Sequence, residues 1–163
     1  MGFATHLGPW LLGTVKNTTG TTAGTIRNMG ATVVTQTGLT TVNDTTATTE
    51  FVLPAGAQIL EFIVDITTAY AGTTGNTITI QTAAGNSLAT VGGATTTPLA
   101  VGRATVTPTG AQVGTYLNVG TTDLVVQAIY ACAGTASGGA ATITCVYVVR
   151  DSNGNANPTS TQN

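Results

Sequence analysis

Charge is what this sequence has least of. Aspartate, glutamate, lysine and arginine together make up 6% of its 163 residues, against roughly a quarter in ordinary soluble domains. Its cations are Lys16, Arg27, Arg103 and Arg150, and the net charge is −2. Four scattered cations cannot neutralise a run of phosphates, and that electrostatic term supplies most nucleic-acid affinity. No nucleic-acid partner is expected.

The residues that carry chemistry are equally sparse. There is one histidine, His6, and there are two cysteines, Cys132 and Cys145, without a C-x-x-C spacing. With no other thiol or carboxylate cluster beside His6, neither a metal site nor a cofactor is expected. A nucleophile needs a base, and the chain has no G-x-S-x-G elbow and no phosphate loop opening a helix. The six carboxylates, Asp44, Glu50, Glu61, Asp65, Asp123 and Asp151, are scattered. An enzyme is not expected.

Long apolar runs are missing too. No stretch approaches the roughly 18 to 20 residues that span a bilayer. The opening "MGFATHLGPWLLGTV" lacks a basic start, is broken by Gly8, Pro9 and Gly13, and places His6 where a myristoylation signal wants Ser or Thr. The expectation is synthesis in the cytoplasm with no membrane partner.

What is abundant is threonine, with glycine, alanine and the β-branched aliphatics. Such a surface is soluble through hydroxyls and amides and is poorly protected by charge against association. Helical periodicity is nearly absent, and short β-branched runs recur between Gly, Asn and Pro clusters. The pattern predicts an all-β antiparallel sandwich with strands near 32–36, 47–53, 58–68, 77–82, 87–91, 104–108, 113–119, 123–132 and 141–150. It divides the chain into an extended N-terminal arm (1–31), a β-sandwich (32–150) and a polar C-terminal tail (151–163).

Within "FVLPAGAQILEFIVDITT", residues 51–68, Glu61 and Asp65 are four apart, as a catalytic pair on a helix would be. The alternation of Leu60, Phe62, Val64 and Ile66 with Glu61, Asp65 and Thr67 makes the segment a strand instead, with the even residues turned inward. Two carboxylates four apart on a strand are separated by about 13 Å, too far to flank one bond in the retaining geometry.

"DLVVQAIYAC" and "AATITCVYVV" alternate well, and Gly138-Gly139 between them suits a two-residue hairpin turn. Counting outward from that turn sets Cys132 opposite Cys145 at a position where a disulfide is sterically feasible. The other reading is two free thiols packed on the apolar face with Leu124, Val126, Tyr130, Ile143 and Tyr147, which a reducing cytosol favours.

In the arm, "GTVKN" (13–17) and "GTIRN" (24–28) form a small repeat that carries Lys16 and Arg27. Ahead of it, Phe3, Leu7, Trp10, Leu11 and Leu12 are apolar residues in a segment too short and glycine-broken for its own core. They either fold back on their own sandwich or anchor on a neighbouring surface, where tryptophan is a favoured contact.

The pattern "LPAGAQILEFIVDITTAY", then "NTITIQT", then "TASGGAATITCVYVV" resembles the small jelly-roll structural proteins of tailed bacteriophage virions. The arm "LGTVKNTTGTTAGTIRNMGATVVTQ" looks similar to phage structural proteins as well, marine phages included. The resemblance implies a jelly roll, and a capsid decoration (cement) protein, commonly a homotrimer, on the outer surface of the head, with the major capsid protein as partner. It implies that the arm supplies the contacts. Head-fibre and tail or baseplate proteins share the look. A secreted adhesin or carbohydrate-binding domain remains a different class, which predicts an export signal and exposed aromatics.

Overall fold

The computed structural model describes residues 32–93, 99–106 and 110–149. Eight strands account for most of them: β1 (Thr32–Thr41), β2 (Thr48–Leu53), β3 (Gln58–Thr68), β4 (Thr74–Thr82), β5 (Ser87–Gly92), β6 (Gly102–Val106), β7 (Leu124–Ala133) and β8 (Ala140–Val149). They form two four-stranded antiparallel sheets, ordered β1-β8-β3-β6 and β2-β7-β4-β5. The fold is an all-β sandwich, and this strand order is that of the eight-stranded jelly roll.

The register shows how one chain builds it. β4 pairs with β5, β3 with β6, β2 with β7 and β1 with β8. The strands thus form one long antiparallel ribbon whose tip is the turn at 83–86, with Gly85 at φ +83°. Wound around itself, the ribbon closes through two further pairings, β3 with β8 and β4 with β7. Winding buries one face of every strand and leaves few free edges, which a threonine- and valine-rich chain needs if it is not to pair indefinitely.

Alternation fills the space between the sheets. Leu53, Phe62, Val64, Ile78, Ile80, Val126 and Ile143 are completely buried. Aromatic rings bridge the layers: Phe62 stacks on Phe51 at 6.3 Å and meets Tyr116 edge-on at 5.7 Å. Tyr70 and Tyr130 lie 4.6 Å apart. The tyrosine hydroxyls all find partners, as buried ones must. Tyr70 donates to the Thr40 carbonyl (2.8 Å) and Tyr116 to the Leu88 carbonyl (3.1 Å), while Tyr130 donates to Asn76 Oδ1.

Three local expectations fail. The first concerns 113–119, which forms a short helix, α1 (Val113–Leu117), entered through a 3₁₀ turn at Gly110–Gln112. Only Tyr116 of its five residues is buried, so a single anchor against Phe62 and Leu88 decides the backbone and no alternating face is needed.

The second concerns the inward set of β3, which excludes Leu60: it is 39% exposed, whereas Ile59 is 2%. The pairing with β8 slips between Ile59 and Glu61, and such a bulge inserts one residue and resets which side chains face inward. Phe62, Val64 and Ile66 follow the expected phase.

The third concerns the hairpin of 123–132 with 141–150, which does not form. β7 belongs to one sheet and β8 to the other, and Cys145 stands opposite Gln36 and Phe62, not opposite Cys132. Both cysteines are free. Gly138 and Gly139 do take positive φ, but they carry the chain across from sheet to sheet. Ser137 bridges to Ala71, the Gly139 carbonyl accepts from the Val42 amide (3.1 Å), and a Cβ on Gly139 would strike the Tyr70 ring.

Candidate interaction surface

Threonine and valine at alternate positions give each sheet an apolar inner face and a hydroxyl-bearing outer face. On the β1-β8-β3-β6 sheet, the register lines up outward residues in rows across the strands. One row runs Thr37, Thr144, Ile63 and Thr105, and the next Leu39, Thr142, Asp65 and Arg103. Leu39 is 62% exposed.

Charge enters this face at few points. Arg103 holds Asp65 in a two-pronged contact, Nε to Oδ1 at 2.6 Å and Nη2 to Oδ2 at 3.0 Å. The guanidinium keeps the Asp65 carboxyl below the usual carboxylate range, and the carboxylate in turn raises the pKa of Arg103. Glu61 lies one row beyond the Thr144 row, across from Val146. Asp65 therefore has its partner within the same chain.

The outer face of the β2-β7-β4-β5 sheet carries no ionisable side chain among the described residues. Its rows, Thr79 with Ile129 and Thr90, and Gln81 with Gln127, are hydroxyls, amides and methyl groups. The β2-β7-β4-β5 face can meet another protein without stripping water from charges, the costliest part of forming a contact, while the other face carries, among the described residues, only Glu61 and the Asp65–Arg103 pair.

A shallow cleft of about 410 Å³ lies between the β1–β2 loop and the end of β7, lined by Val42, Asn43, Thr45, Tyr130 and Cys132 among others. Cys132 Sγ lies 3.5 Å from the Gly134 carbonyl, and no histidine among the described residues stands beside it as a base. Cys145 is completely buried, and burial pushes its thiol up to about 12, so it is an inert packing group.

Every aromatic side chain among the described residues is buried: Phe51, Phe62, Tyr70, Tyr116, Tyr130 and Tyr147 are all 6% exposed or less. The described surface thus lacks the exposed ring on which a sugar stacks. The arm residues Phe3, Leu7, Trp10, Leu11, Leu12, Lys16 and Arg27 lie outside the described residues, as does His6.

Sequence reading missed a polar cluster at the side of the sandwich where β1 meets β2. Gln36 Nε2 donates to Tyr147 Oη (2.7 Å) and to the Val52 carbonyl (3.0 Å), tying β1 to both sheets. Two residues along, Glu50 packs against Gly38. The signal was present: a lone glycine inside a β-branched strand marks a close approach.

In fold the chain is similar to two phage capsid chains. One belongs to the acid-stable capsid of Helicobacter pylori bacteriophage KHP30, at 12% identity and a TM-score of 0.47, covering 72% of this chain and 87% of that one. The other belongs to the capsid asymmetric unit of cyanophage Pam1, at 18% identity and a TM-score of 0.43, covering 79% and 93%. A weaker likeness is to a chain of the T13 IBDV viral particle, at 15% identity and a TM-score of 0.26, over 36% of that chain. No family model and no curated protein matches the sequence.

Proposed function

We propose that this protein is a structural component of a bacteriophage virion, of the decoration or cement kind. It attaches to the outer surface of the head, bridges subunits of the major capsid protein and associates with its own copies as a homotrimer. The observation that carries the reading is a jelly roll with a filled interior and two broad outer faces, one of which carries no ionisable side chain among the described residues and the other only Glu61 and the paired Asp65 and Arg103. Such faces offer broad, weakly charged surface for contact with a protein lattice. The sequence resemblance supports the same role, and the arm multiplies weak contacts so that they act together.

Heads lacking the protein, mixed with the purified full chain and sedimented, test this directly. Co-sedimentation, together with a higher temperature of head disruption, is expected. Full-length protein left in the supernatant at micromolar concentration overturns the decoration role. Deleting residues 1–12 is expected to abolish co-sedimentation while the circular dichroism of the β-domain is retained; undiminished binding by that variant removes the arm from the interface.

A further inference from the structure

β1 is an edge strand of one sheet and β2 an edge strand of the other, so the side of the sandwich they share is held by side chains and not by a strand ladder. Glu50 stands at the bulge of β2, where the pairing with β7 slips between Thr49 and Phe51. Its carboxyl reaches the free edge of β1 at Gly38. A Cβ there would overlap Oε2 and press on the Glu50 Cβ (2.9 Å), so glycine is what admits the carboxyl.

The environment suits a neutral acid better than an anion. Oε1 of Glu50 is buried with no hydrogen-bond partner, and so is Oγ1 of Thr40, on the same inward row of β1 as Gly38. The described groups around it offer no compensating cation. Asp44, from the β1–β2 loop, adds like charge; its Oδ2 is engaged by the Thr41 amide at 2.6 Å. Tyr70 spends its proton on the Thr40 carbonyl, and Tyr147 on β8 accepts from Gln36. The only cation among the described residues, Arg103, sits on β6 at the opposite edge of the sheet, bound to Asp65.

We propose that Glu50 is a proton-controlled latch on this edge: its neutral carboxyl seals the gap between β1 and β2, and ionisation loosens it. Burial first, and the Asp44 charge second, raise its pKa from 4.5 to about 7, against a hydrogen bond from the Leu39 backbone that favours the anion. The sign follows from the two states. The unfolded chain gives up this proton near 4.5 and the folded chain only near 7, so stability is full below 4.5 and is lost as pH rises through that window. The edge is tightest in acid and loosest above neutrality.

Denaturant unfolding of the full chain between pH 5 and 8.5, wild type against Glu50→Gln, tests the latch. Since the side chain is partly solvated, the wild-type unfolding constant should grow by on the order of tenfold across that range, with no such growth in Glu50→Gln. The difference between the two profiles removes any contribution of His6. Hydrogen exchange at Leu39 and along β2, corrected for intrinsic rate, should quicken with pH in the wild type alone. Parallel profiles, or a Glu50→Gln chain less stable than wild type at pH 8, overturn the proposal; the second result would mean that a basic group pairs with the anion. Should the variant not fold, carbon NMR titration of the Glu50 carboxyl in the wild type decides: a midpoint near 7 upholds the latch and one near 4.5 ends it.

Discussion

Asn76 shows how much one buried polar side chain organises. Fully enclosed, it accepts from the Gly72 amide (2.9 Å) and from the Tyr130 hydroxyl, and donates to the Gly72 carbonyl (3.3 Å). Gly72 has no room for a side chain, since a Cβ would overlap Asn76 Oδ1 and press on Cys132. Asn76→Ala strands two buried donors at once and is expected to cost about 2–4 kcal/mol in urea unfolding. Tyr130→Phe removes the hydroxyl's bond to Asn76 and leaves the Gly72 amide satisfied, so about 1 kcal/mol is expected. Equal losses would mean that the two donors do not share this acceptor. Neither Asn76 nor Gly72 stands out in the sequence, because an asparagine beside glycine reads as turn chemistry. Its role depends on Tyr130, 54 residues away.

At the scale of the element, β3 carries the most instructive departure. Its alternation was legible and its identity as a strand follows from it, yet the inward phase begins one residue earlier than the pattern suggests because of the bulge at Leu60. Leu60→Lys should change stability by less than about 0.5 kcal/mol, as an exposed position does. Phe62→Ala should cost about 3–5 kcal/mol, for lost burial and the cavity left beside Phe51 and Tyr116. Thermal unfolding of the two variants reads the phase, and a severe loss in Leu60→Lys would return that residue to the core. α1 departs from the strand expectation for a related reason: "VGTYLNV" has the composition of a strand, and only the burial of Tyr116 between Phe62 and Leu88 favours a helical turn.

For the whole molecule, the nesting of the ribbon decides which residues can meet. Seven consecutive strand connections contain one local antiparallel pair, β4 with β5; the other pairings join segments far apart in sequence. Folding in milliseconds to seconds is expected, as for other β-proteins dominated by non-local pairing, and stopped-flow fluorescence would measure it. The same nesting puts the two cysteines in separate sheets. In the native protein an aromatic disulfide reagent should therefore titrate Cys132 readily and Cys145 only on unfolding, and mild oxidation should leave electrophoretic mobility unchanged without reductant. An intramolecular disulfide would contradict the strand order.

Composition and two-residue periodicity were enough to determine an all-β sandwich, because a side chain's face on a strand depends only on its neighbours one and two positions away. What only the tertiary structure decided is which strands pair, where a bulge shifts the phase and what a lone glycine is for. Gly138-Gly139 fits a hairpin turn as well as a crossover, and its flanking residues do not distinguish the two. The choice is made by Tyr70 against Gly139, by Ser137 against Ala71 and by the long-range ladders on either side of β8. Glu50 and Gly38 likewise acquire their relation only when the ribbon winds and brings two strand edges from opposite sheets together.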